Sequence, residues 1–140
     1  YVGIEAYPVA FDEAIQMNYP LAIDPESEPL FKQLHLTAWE KPTLITPCFT
    51  LTKRKQFFQD IQDIGLYDLV YFDAFGFRVQ PELWSEDVFA AMYKALKPGG
   101  VLVTYACRSL IKNAMLAVGF KVEKLPGAPG KREMLRAFKL

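Results

Sequence analysis

Apolar positions along the chain alternate between strand-like and helix-like spacing. Tyr1-Val-Gly-Ile-Glu5 is a short β-prone run ending in a carboxylate, and Pro8 to Asn18 reads as a helix with proline in its opening turn. Residues 19–29 carry Pro20, Pro25 and Pro29 and are expected to form a polar loop, with a helix over Leu30 to Trp39. Thr43 to Thr52 is rich in β-branched residues, but Pro47 inside it implies an edge strand or two short pieces. A helix is expected from Lys53 to Ile64, ended by Gly65. A strand over Asp68 to Phe72, a helix over Ser85 to Leu96, a Lys97-Pro-Gly-Gly100 turn and a strand over Val101 to Ala106 follow. The helix beginning at Ser109 has Gly119 as its C-terminal cap. Lys121–Leu125 and Arg132–Leu140 are expected to pair antiparallel around Pro126-Gly-Ala-Pro-Gly130.

Strands alternating with helices imply an α/β fold with a mostly parallel sheet closed by an antiparallel hairpin. Such sheets bind ligands at the carboxyl ends of their strands. Glu5 and Asp73 both fall at ends of that kind, so both are expected on one rim. A carboxylate such as Glu5 can accept from two vicinal ribose hydroxyls, or it can be a solvated strand end. Asp73 lies between apolar strand interior and an aromatic loop. There it either accepts a proton or orients an amine, or it is a loop-stabilising or helix-capping aspartate.

With 140 residues, 51% hydrophobic and 23% charged, the chain is expected to be one domain with a real core rather than a disordered segment. No apolar run approaches the ~20 residues of a membrane helix and the N-terminus has no signal-peptide pattern, so a cytoplasmic location is the default. Cys48 and Cys107 suggest neither a disulfide framework nor zinc, and His35 has no catalytic pattern around it. The net charge is zero but unevenly placed. Residues 1–31 hold six acidic side chains and no Lys or Arg, whereas residues 108–140 carry a local net of +6. That imbalance permits a polyanionic partner near the C-terminal part, or is a solvated basic face.

The run YDLVYFDAFGFRVQPELWSEDVF, followed by LKPGGVLVTYACRSLIKNAMLAVGFKVEKLPGAPGKREMLRA, resembles the methyltransferase domain of bacterial tRNA 5-methylaminomethyl-2-thiouridine-forming enzymes, the MnmC and MnmD type. The resemblance is strong from about Tyr67 to Ala137 and moderate at YVGIEAYP. It implies a Rossmann-like class I methyltransferase that uses S-adenosyl-L-methionine to methylate the exocyclic amine of 5-aminomethyl-(2-thio)uridine at the tRNA wobble position. By the same resemblance Asp73 lies beside the methyl donor and the amine, Glu5 is the ribose-binding acid, and Ala74 lines the cofactor site. Phe75 and Phe77 would meet the substrate, as would Lys131, Arg132 and Glu133 of the Gly130-Lys-Arg-Glu133 signature. The implied partners are the tRNA anticodon loop and a fused or separate FAD-dependent oxidase that generates the amine.

The family domain begins with a strand and a glycine-rich turn, so residues 1–140 are expected to be a methyltransferase domain from its second strand onward. Two other readings are carried forward. A spermidine-synthase-like aminopropyltransferase shares the strand-Asp-x-Phe pattern and also acts on amines. A non-catalytic RNA-binding remnant would keep the fold without the cofactor loop.

Overall fold

Pro47 breaks the first β-rich run into two strands. In the computed structural model, which describes Tyr1–Leu140, β1 (Val2–Ile4), α1 (Phe11–Gln16), α2 (Tyr19–Ile23), α3 (Glu28–Leu36), β2 (Thr43–Thr46) and β3 (Phe49–Arg54) form one unit, Tyr1–Phe57. Its sheet has the order β1-β3-β2, with β1 parallel and β2 antiparallel to β3. Pro47 and Cys48 make the turn between the two antiparallel strands.

Two expectations fail between residues 19 and 64. Residues 19–29 are not a loop, because their prolines open helices instead of excluding them. Pro20 sits in the first turn of α2, and Pro25 starts a 3₁₀ turn, Pro25–Ser27, in which Asp24 Oδ1 accepts from the Glu26 amide at 3.1 Å. Lys53 to Ile64 is not a helix, because Lys53 and Arg54 complete β3 against Gly3 and Ile4. Lys53 Nζ then donates to the carbonyls of Leu34, at 3.0 Å, and His35, at 2.8 Å, which supplies the donors that the C-terminal end of α3 lacks. Only a single 3₁₀ turn, Phe58–Asp60, remains of the expected helix.

The second unit, Phe58–Leu140, holds β4 (Tyr67–Tyr71), α4 (Glu86–Ala95), β5 (Leu96–Thr104), α5 (Ser109–Ala117), β6 (Lys121–Pro126) and β7 (Glu133–Phe138). The sheet order is β4-β5-β7-β6; β4 and β5 are parallel, and the last three strands pair antiparallel. The α/β class and the closing hairpin are as expected, with pairing mixed in both sheets. The Lys97-Pro-Gly-Gly100 turn is absorbed into β5 as an irregularity between the Tyr67↔Leu96 and Leu69↔Val101 pairs, with Gly99 at φ +78°.

The core of this unit follows from spacing. Val88, Phe89, Met92 and Ala95 share one face of α4, and Ile111, Ala114 and Met115 one face of α5. They pack against Leu102 of β5 and the alternating Leu135 and Ala137 of β7. Ser85 Oγ accepts from the Val88 amide to cap α4. At the end of α5 the amide of Gly119 (φ +105°) bonds the Leu116 carbonyl and that of Phe120 the Met115 carbonyl, a Schellman motif that buries Phe120 against Tyr93, ring centroids 4.9 Å apart.

Candidate active site

Asp73 points outward because its neighbours must point inward. The period-2 alternation of a strand continues past the end of β4: Phe72 is buried, Asp73 exposed, Ala74 buried and Phe75 exposed. The Phe72 amide still bonds Val103 of β5 at 2.9 Å, and its ring lies 5.3 to 5.4 Å from those of Phe58, Trp84 and Phe89. An aromatic cluster therefore fixes the residue before the carboxylate.

The residues after it are fixed by two side-chain donors. The Tyr105 hydroxyl donates to the Ala74 carbonyl at 2.7 Å, and Trp84 Nε1 to the Phe75 carbonyl at 2.8 Å. Their rings meet edge to face, centroids 6.0 Å apart. Burial, and after it the charge of Asp73, raise the Tyr105 phenol above its usual value. Tyr105 comes directly after β5, so the carboxyl ends of two adjacent parallel strands carry this arrangement. No sequence motif marks Tyr105; its one signal in the sequence is a tyrosine at the end of the β-rich run VLVTYA.

The other residues singled out from the sequence distribute unevenly. Phe77 lies under the Arg108 guanidinium at 5.2 Å. Lys131 holds its Nζ 4.3 Å from the centroid of the Tyr105 ring, which brings the basic turn to the Asp73 loop. Arg132 is exposed, and its carbonyl accepts from the Gly127 amide within that turn. Glu133 pairs with Lys124 across β6 and β7 at 2.8 Å, a bond that raises the Lys124 ammonium pKa. Glu5 lies in the first unit, where its Oε1 accepts from the Tyr7 amide at 2.8 Å and the carboxylate stays exposed. It borders a hollow of about 340 Å³ lined also by Tyr1, Ile4, His35, Trp39, Leu51 and Lys53.

The exposed Asp73 carboxylate thus stands at the carboxyl end of a parallel strand pair, which is where open α/β sheets bind their ligands. The chain belongs to the family described as S-adenosyl-L-methionine-dependent methyltransferase, which it matches over residues 53–140. It is 27% identical over 154 residues to the tRNA 5-methylaminomethyl-2-thiouridine biosynthesis bifunctional protein MnmC of Aeromonas hydrophila, a match that covers 96% of this chain and 22% of that protein. The protein of the same name from Polaromonas naphthalenivorans is 30% identical over 149 residues, covering 97% of this chain and 22% of its own length. The chain thus spans about a fifth of the length of these relatives. Among solved structures, MNMC2 from Aquifex aeolicus shares the fold with a TM-score of 0.64 at 16% identity, over 97% of this chain and 52% of that one.

Proposed function

We propose that the chain is the methyltransferase part of a tRNA-modifying enzyme, acting in the cytoplasm on the exocyclic amine of 5-aminomethyl-(2-thio)uridine at the wobble position. The observation that carries this reading is the exposed Asp73 carboxylate on a main chain anchored at the next two carbonyls, in a chain of the methyltransferase family. The choice of tRNA is supported by the names of the relatives, which cover nearly the whole chain.

In the second unit Ala74 is small and buried beside Asp73, so main chain rather than side chain would border the methionine end of the cofactor. In the first unit Glu5 gives one carboxylate oxygen to the Tyr7 amide, and by the family resemblance it is the acid that would accept from ribose hydroxyls. Bound S-adenosyl-L-methionine supplies an electrophilic methyl group on a sulfonium. Asp73 would accept a hydrogen bond from the attacking amine, aim its lone pair, and receive the proton released as the new carbon–nitrogen bond forms and the methyl–sulfur bond breaks, the sulfur leaving as a neutral thioether. Phe75, 71% exposed on a fixed backbone, offers a face on which an unpaired base can stack. Lys131 and Arg132, both exposed, meet backbone phosphates. Glu133, engaged with Lys124, shapes the turn instead of touching substrate.

Neither the aminopropyltransferase nor the non-catalytic alternative is favoured by a methyltransferase family match and MnmC-named relatives. The test is methyl transfer by the full-length protein from radiolabelled S-adenosyl-L-methionine to tRNA bearing aminomethyl-uridine, with putrescine and decarboxylated cofactor as the competing pair. Label in the wobble nucleoside is the expected result. Product from putrescine alone would reverse the assignment.

A further inference from the structure

We propose that Tyr105 is a positioning residue that ties the Asp73 loop to the basic turn around Lys131, so that one side chain sets both the aim of the carboxylate and the location of the cation. This rests on the methyltransferase reading of Asp73 given above. Three contacts converge on Tyr105 from separate parts of the second unit. Its hydroxyl holds the Ala74 carbonyl at 2.7 Å, its ring face carries the Lys131 ammonium at 4.3 Å, and its ring meets Trp84 at an interplanar angle of 90°.

Packing alone does not account for the phenol. A phenylalanine would make the same ring contacts with Lys131 and Trp84. The hydroxyl adds only the bond to the carbonyl of the residue directly after Asp73, and an acceptor so close to the loop surface would otherwise bond water and gain freedom. The Trp84 indole fixes the next carbonyl in the same way, so Asp73 is followed by two peptide groups with side-chain anchors. The anchor matters most if the carboxylate must hold an amine within a narrow range of direction, where small misplacements are costly. The lysine face of the same ring links that geometry to whatever polyanion the turn engages.

The test uses Tyr105→Phe and Tyr105→Leu in the full-length protein. Tyr105→Phe keeps the ring and is expected to lower kcat about tenfold, with KM for tRNA and cofactor changed less than about twofold. Tyr105→Leu, which also removes the seat of Lys131, is expected to lower kcat similarly and raise KM for tRNA. In parallel, amide hydrogen exchange from Ala74 to Gln80 is expected to quicken in Tyr105→Phe while exchange in α4 and α5 stays unchanged. Unaltered kcat in Tyr105→Phe overturns the proposal whatever the exchange shows. If the wild-type protein transfers no methyl to the tRNA, the functional reading fails on its own. Unchanged loop exchange in Tyr105→Phe would then still overturn the anchoring role, and quickened exchange confined to the loop would uphold it.

Discussion

Trp84 Nε1 donates to the carbonyl oxygen of Phe75 at 2.8 Å, so a ring that is 2% exposed holds the main chain of one that is 71% exposed. The two aromatics have opposite tasks in one loop. The indole belongs to the core cluster with Phe72 and Phe89, and its single polar atom reaches the loop that the cluster supports. Replacement by phenylalanine removes that donor and leaves a void. Trp84→Phe is expected to cost about 2–3 kcal/mol, measured as a shift of the urea midpoint. A loss below about 0.5 kcal/mol would mean that the indole bond and its packing contribute little.

Asp73 has a sharper signature. Its side chain is exposed and makes no bond that holds the loop together, so replacing the carboxylate is expected to leave folding intact. Asp73→Asn is expected to reduce methyl transfer at least about a hundredfold while circular dichroism and thermal midpoint stay at wild-type values. The same substitution removes the charge that, after burial, raises the Tyr105 phenol. The tyrosinate absorbance attributable to Tyr105, obtained by difference from Tyr105→Phe, is therefore expected at lower pH in Asp73→Asn than in wild type. Wild-type turnover by Asp73→Asn would remove it from the mechanism.

Periodicity carried much of the second unit. The β4 strand, the α4 and α5 faces, the Gly119 cap and the closing hairpin all rest on local patterns of spacing and turn chemistry, which a sequence displays directly. The first unit was harder to read, because its deciding interactions are distant in sequence. Lys53 completes a strand and caps α3 from 18 and 19 residues away, and nothing local to Lys53–Ile64 announces that. The site shows the same division. Asp73 is visible as a polar residue that ends an apolar run, whereas Tyr105 acquires its role only when β4 and β5 lie side by side and bring it within 2.7 Å of an acceptor 31 residues away in sequence.

The basic turn depends on a glycine for reasons of space. A Cβ on Gly127 would lie 2.7 Å from the Lys131 carbonyl oxygen and 3.0 Å from the Lys131 Cβ, so the Pro126–Gly130 segment would have to open. Gly127→Ala is expected to shift Lys131 from the Tyr105 ring and to raise KM for tRNA several-fold, on the order of one phosphate contact, without abolishing transfer. Gly130→Ala places its Cβ in open space but at φ +85°, a strained backbone rather than a clash, costing about 1 kcal/mol. Equal tRNA affinity in Gly127→Ala and wild type would separate the turn from RNA binding.

His35 gives the first unit a pH dependence whose sign can be worked out. Burial, with a smaller contribution from the nearby Lys53 ammonium, lowers the imidazole pKa in the folded chain, and the ring packs on Phe31 with centroids 4.5 Å apart. The unfolded chain therefore binds a proton near the usual histidine value of about 6.5, while the folded chain resists it. Stability from this residue is complete above that value and declines as pH falls through it toward the lower folded pKa. The urea midpoint of wild type is expected to drop between about pH 7.5 and about pH 5.5, and part of that drop should vanish in His35→Leu, which keeps an apolar side chain against Phe31. The same substitution leaves Lys53 its bonds to the Leu34 and His35 carbonyls, because both acceptors are main chain. An identical pH profile for the two proteins would show that the imidazole titrates alike in the folded and unfolded chains.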